Sequence, residues 1–260
     1  SRPDPDADPD PGPGADPHLD VADAMEDLQG DPDSAGAVRR LMGLVAGAAR
    51  GAGAKAVATG QWMAPTLIDL APRIPIRDRE LLQRDHGGLS GAALAGELIR
   101  RSSRASAGVG AASGAMLGAT QLVPPAWFTI PFELVVDTLA VAVIELKLVG
   151  ELHEVYGRPV EGTPADRTVL LVRAWAERRG VTPATLTRRG GLADALGRST
   201  RNELVRMVRR RLMVRMGRNL STLAPLFAGA VAGAEVNRRA TRSLGEAVVR
   251  DLAAVRVSAP

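Results

Sequence analysis

From Ala105 to Phe132 the chain runs 28 residues without a charge, although 24% of its residues are charged overall. The first half of this stretch places glycine at every fourth position, Gly110, Gly114 and Gly118, and Ser106 and Ser102 continue the row backwards. Residues four apart share one face of a helix, so the row is a strip of nearly bare backbone. Each glycine weakens a helix by about 1 kcal/mol relative to alanine. Three on one face are therefore expected where another helix comes very close. In the second half, Pro124, Pro125 and Pro131 frame Trp127, Phe128 and Phe132, which reads as a turn with aromatic residues at its tip.

The same spacing recurs at Gly43, Gly47 and Gly51, and at Gly229 and Gly233, where the row continues through Asn237, Thr241 and Gly245. A period of four exceeds the helical repeat of about 3.6, so such strips wind right-handed and favour right-handed crossings. Three glycine-rich helices in one chain are expected to pack on one another. Contact of at least one of them with a membrane is the other reading.

Charge is unevenly distributed. Residues 1–35 hold 11 acidic residues and one arginine, a net of −10, which leaves 32 basic and 18 acidic residues, a net of +14, in the remainder. A basic body with an acidic tail points to an anionic partner, lipid headgroups or nucleic acid, for which the tail can compete. With no cysteine, disulfides, thiolate metal sites and cysteine catalysis are excluded, and a reducing compartment fits. No basic start followed by an apolar core is seen at the N-terminus, so no signal peptide is expected.

Residues 1–18 alternate aspartate with proline and glycine and cannot offset their ordering entropy by burial. Residues 1–33 are therefore expected as a disordered tail and 34–260 as a single helical domain. Within the tail, Val21, Met25 and Leu28 are spaced to dock a short helix over 19–29. Helices are then expected at about 35–58, over Arg77 to Arg84, at 90–121 and at 131–156, the last two forming a central apolar hairpin. Thr163-Pro164, Thr182-Pro183 and the pair Thr200 and Glu203 open three more helices, before a final helical stretch at about 220–254. No segment alternates like a strand. The expected class is all-α, a bundle of glycine-zipper helices around the hairpin.

A membrane crossing by the hairpin is disfavoured. About ten apolar residues in 127–146 contribute roughly −5 kcal/mol to insertion, whereas Asp137 alone costs about 3 and Glu133 and Glu145 add more. Glu133 and Asp137 share a face, with Lys147 and Glu151 near it. These acids read as structural partners of arginines in 200–218, or as an acid–base pair working with His153. No metal ligands fall at helical spacing around His153, and the sequence GAGAK at 51–55 lacks the spacing of a phosphate loop. Around Ser113 the sequence is GAASG, which is not a nucleophile elbow. Cofactors are expected to be none. In 200–218, Arg206, Arg209 and Arg210 lie largely opposite an apolar stripe and Arg211 flanks it, a pattern suited to an anionic lipid surface or to a core helix with a solvated basic face. With seven aromatics in the chain, nucleic acid is the weaker partner.

The apolar stretch at 105–123, the long apolar helix ending in Tyr156-Gly157 and the terminal GAVAGAEVNRRATRSLGEA, with Asn237, Thr241 and Gly245, together resemble the EcsC family over roughly residues 85–252. The resemblance implies a helical, membrane-associated protein and no particular reaction. The expected function is non-enzymatic, peripheral association with membrane lipid or a membrane protein complex, and the expected location is the cytoplasm, with attachment at the inner face of the cell membrane as the further reading. Trp127 and Phe128 with Arg206, Arg209, Arg210 and Arg211 are the candidate contacts. A hydrolase using the carboxylates of the central helix and an arginine-rich nucleic-acid binder are the alternatives. The sequence leaves open whether the chain forms a homo-oligomer.

Overall fold

The helix Phe132–Val155 is the one around which the others pack, and from Val136 to Leu152 each of its residues is buried. The computed structural model describes residues 17–52, 62–120, 132–160 and 229–257, together with 162, 166–167, 169–172, 175, 205 and 209. Every regular element among them is helical. In order these are α1 (Pro17–Gly30), α2 (Ala35–Ala52), α3 (Met63–Leu70), a 3-10 turn at Ala71–Arg73, α4 (Arg79–Asp85), α5 (Gly91–Thr120), α6 (Phe132–Val155) and α7 (Gly229–Val257). The protein is an all-α bundle.

Burial on all sides explains why α6 is nearly apolar around its circumference. It touches α2, α3, α4, α5 and α7. Side chains such as Leu139, Leu146, Leu148 and Leu152 are fully enclosed, each worth about 1.5–3 kcal/mol of removal from water. Three contacts set the direction of its largest neighbours. Gly110 meets Gly233, the Ser106 hydroxyl meets Thr241, and Ile99 meets Gly245. As α5 is followed backwards α7 runs forwards, so these two helices are antiparallel. Asp137 bonds Asn237, Glu145 bonds Thr241 and Leu148 approaches Gly245, so α6 runs parallel to α7. α5 and α6 therefore form an antiparallel hairpin.

The C-terminus of α6 is closed by Gly157, whose φ of 70° lies in the left-handed region that glycine enters without a steric cost. The Gly157 amide donates to the Glu154 carbonyl at 3.0 Å and the Arg158 amide to the His153 carbonyl at 2.9 Å. This is the Schellman pattern, and it satisfies carbonyls that the helix end would otherwise leave open. At α4, the Asp78 side chain accepts the Leu81 amide at 2.8 Å and caps the N-terminus. That helix starts two residues after Arg77, leaving Arg77 in the connecting strap.

Two expectations are corrected. The tail boundary moves back from residue 33, because α1 seats Val21, Ala24, Met25 and Leu28 in the core. Asp27 also pairs with Arg40 of α2. Residues 1–16 lie outside the described residues. Among the described residues the α2 glycine row is not a close contact either. Gly43, Gly47 and Gly51 are exposed, and a methyl on any of them would meet nothing within 4 Å among the described residues. α2 instead buries its opposite face, through Val38, Leu41, Met42 and Val45.

Candidate functional site

Among the described residues, the buried carboxylates and the groups bonded to them fall into two groups, on different sides of α6. The first lies in the seam with α5 and α7. Asn237 donates its amide to Asp137 Oδ1 at 2.8 Å, and both residues are buried. Thr241 Oγ1 lies 2.9 Å from Ser106 Oγ and 3.1 Å from Glu145 Oε1. A hydroxyl has one proton, so the arrangement that satisfies the carboxylate has Thr241 donating to Glu145 and accepting from Ser106. The Trp175 indole donates to the other oxygen, Oε2, at 2.9 Å. The α7 row of Gly233, Asn237, Thr241 and Gly245 is thus the edge that meets α5 and α6, with small or hydrogen-bonding groups at each step.

Bare backbone is what lets α5 and α7 come together. A methyl on Gly110 would overlap the Gly233 carbonyl, and one on Gly233 would lie 2.5 Å from the Gly110 oxygen. A methyl on Gly245 would sit 2.6 Å from Ile99 Cγ1. Gly114 is buried in α5. Gly118 and Gly229 fall within α5 and α7, but their surroundings lie outside what the structure describes.

The second group sits where the strap 74–78 crosses α6. Lys147 pairs with Glu151 at 2.9 Å, one helical turn on, and donates to the Pro75 carbonyl. Arg77 reaches the same carboxylate with Nε at 3.0 Å and pairs with Asp85 at 2.9 Å. Gly150 admits Ile76 between these contacts, since a methyl there would lie 2.5 Å from Ile76 Cδ1. Burial pushes Lys147 below the usual lysine value, and the Glu151 charge opposes that shift. Beside these groups lies a cavity of about 30 Å³, with Arg77, Arg101, Lys147, Glu151 and Ser102 in its wall. Met25 and Leu28 of α1, with Leu98, Ala105 and Ile144, form its apolar side.

The outer faces of α5 and α7 are rich in arginine. Arg100 and Arg104 are exposed on α5, and Arg238, Arg239, Arg242 and Arg250 on α7. Glu97 is shared by Arg100 and Arg101, and Glu235 by Arg238 and Arg239. The hydrogen bond from Arg101 holds the Glu97 carboxyl below its ordinary value, and that from Arg238 does the same for Glu235. The described charges of α5, three arginines and one glutamate, and of α7, five arginines and three acids, each leave a surplus of +2. The register fixed by Ser106 and Thr241 brings Arg104 and Arg242 to about the same level.

Of the surface residues expected from the sequence, Arg209 is helical and exposed. Trp127, Phe128, Arg206, Arg210 and Arg211 lie outside the described residues. Asp137 and Lys147–Glu151 do not converge on one site, as Asp137 meets α7 and Lys147 the strap. Nor does His153 join Asp137. Sixteen residues at about 1.5 Å each separate them by roughly 24 Å along α6, and the His153 Nδ1 lies 2.8 Å from the Val149 carbonyl. Among the described residues no group of three or more His, Cys, Asp or Glu side chains could hold a metal ion.

The sequence pattern places Lys147 and Glu151 near each other on one helix but puts Arg77 only at the start of a charged helical turn. No local signal marks Arg77 as a partner of α6, because 74 residues separate it from Glu151. Tyr156 is half-buried against the core, and Gly157, Asn237, Thr241 and Gly245 have the structural contacts described above. Comparison of the chain with protein-family models, with curated proteins and with solved structures returns no match.

Proposed function

We propose that the chain is a non-enzymatic helical protein that associates peripherally with anionic membrane lipid, directly or as part of a membrane protein complex, at the cytoplasmic face of the cell membrane. The observation that carries this reading is the arginine-rich outer side of the antiparallel pair α5 and α7. Arg104 and Arg242 have no ion-pair partner among the described residues, and two glutamates are each shared between two arginines. An arginine close to an anionic surface contributes about 1 kcal/mol. No described helix is long and apolar enough to cross a membrane. The resemblance to the EcsC family points the same way.

Flotation of the full chain with vesicles tests this reading. Binding to phosphatidylcholine vesicles that contain phosphatidylglycerol, and not to phosphatidylcholine alone, is expected. Equal recovery with both, or with neither, would count against it.

A further inference from the structure

We propose that the end of the α5–α7 pair beyond the Gly110–Gly233 crossing enters the headgroup layer of an anionic bilayer, with the arginines behind the crossing as its collar. The inference rests on the lipid reading above and adds which end of the bundle meets the membrane. Because the two helices are antiparallel, residues 111–120 of α5 and 229–232 of α7 lie on the same side of the crossing. None of these residues is charged. Ala115 is exposed, and Val231 is 74% exposed, an unusual position for a large apolar side chain in this protein. On the other side of the crossing the chemistry changes at once. Arg238 lies five residues from Gly233 and Arg104 six from Gly110, which is about 8–9 Å along each axis. Arg239 and Arg242 follow on α7.

The surplus of positive charge forms a band beside that end. Arg104 on α5 and the segment 235–242 on α7 together hold four arginines and one glutamate, a net of +3. Glu235 is shared by Arg238 and Arg239, while Arg104 and Arg242 have no ion-pair partner among the described residues. From residue 243 to the end of α7, Arg250 and Arg256 are balanced by Glu246 and Asp251. A helix that lies flat on lipid spreads its cations along its length, whereas these are gathered behind an uncharged tip. The helix faces agree with this. Val231 and Arg242, like Ala115 and Arg104, are eleven residues apart, so each pair falls within about 20° on one face. Arg238 stands about 10 Å behind Val231 and Arg242 about 16 Å. Side chains on α7 lean toward its N-terminus, which is the uncharged end, and arginine stems extend toward headgroups while covering apolar surface. The bond from Asn237 to Asp137 puts the start of α6 at the level of the crossing. Glu133, near that start, and Glu235 are therefore the acids that limit entry to a shallow depth.

The chain has no cysteine, so single labels can be placed cleanly. Ala115→Cys, Val231→Cys and Glu246→Cys, all at exposed positions, are each labelled with nitrobenzoxadiazole. Each full-length chain is mixed with phosphatidylcholine vesicles that contain phosphatidylglycerol, with and without a doxyl quencher on the acyl chains, and flotation is measured in parallel. The labels at 115 and 231 should brighten on binding and be quenched by doxyl. The label at 246, one turn beyond Arg242 on the same side of α7, should do neither. Val231→Asp, at an exposed position, should keep its circular dichroism spectrum and bind about tenfold more weakly or worse, at low and high salt alike. If wild type floats but the labels at 115 and 231 stay dim, or 246 responds as strongly, this inference is overturned and the lipid reading stands. A folded Val231→Asp that binds as tightly as wild type would overturn it in the same way. Failure of wild type to float would overturn both.

Discussion

Gly110 on α5 and Gly233 on α7 meet backbone to backbone, each placed so that a methyl on one would strike the carbonyl oxygen of the other. Nothing larger than glycine fits at this crossing. The consequence reaches α6, because the same approach lets Asn237 bond Asp137 and Thr241 bond Glu145. The seam couples three helices through one pair of missing side chains.

Alanine substitution should separate the glycine rows. Gly110→Ala and Gly233→Ala are expected to cost about 1–3 kcal/mol or more, because bulk forced into a packed contact pushes helices apart. Gly47→Ala in the open α2 row should stabilise by up to about 1 kcal/mol through helix propensity alone. Urea unfolding of the three variants measures this. Equal effects at Gly47 and Gly110 would contradict the contact.

How far the fold can be read from the sequence depends on whether the deciding information is local. The hairpin was legible because its signals are local. Apolar residues on nearly every side mark α6, Pro131 precedes its start, and Gly157 closes its end. The expected limits of 131–156 lie within one residue of Phe132–Val155. Glycine spacing showed which faces are bare but not which are covered, so the rows on α2 and α7 read alike although one is open and the other closed. The Arg77–Glu151 pair was illegible, since it joins a strap to a helix 74 residues away. α1 was half-legible. Val21, Met25 and Leu28 have helical spacing, but the aspartates around them suggested a solvated tail.

Glu151 should matter more than either of its cations. Glu151→Leu leaves Lys147 and Arg77 facing each other in a buried site and is expected to cost about 3–5 kcal/mol. Lys147→Met keeps the Arg77–Glu151 pair and removes a desolvated charge, so it should cost far less. Comparable losses in thermal or urea melts would show that Glu151 is not the shared partner.

The same lysine sets a pH dependence. Burial lowers the folded-state value of Lys147 below its ordinary 10.5, so between those two values the unfolded chain binds more protons than the folded one. Stability from this group is therefore lowest below the folded value and rises with pH through that window. Subtracting the Lys147→Met profile from that of wild type, measured from neutral to alkaline pH, should isolate this rise. A difference that falls with pH would have the wrong sign.

Truncation separates tail from body. Removing residues 1–16 should leave the melting temperature nearly unchanged. Removing 1–33 takes away the buried Val21, Met25 and Leu28, each worth about 1.5–3 kcal/mol, and should lower it by about 10 °C or more. If the two truncations melt alike, α1 is not a working part of the core.

The proposal of a lipid contact rests on the exposed arginines of α5 and α7, those of α7 being the more numerous. The most direct measurement is vesicle co-sedimentation of wild type and of a variant carrying Arg238→Gln, Arg239→Gln and Arg242→Gln together, across a salt titration. Three arginines at about 1 kcal/mol each amount to a loss on the order of a hundredfold at low salt, fading as salt screens the surface. The account expects that loss on phosphatidylglycerol vesicles, with the variant still folded. A folded variant that binds as tightly as wild type at low salt would contradict it.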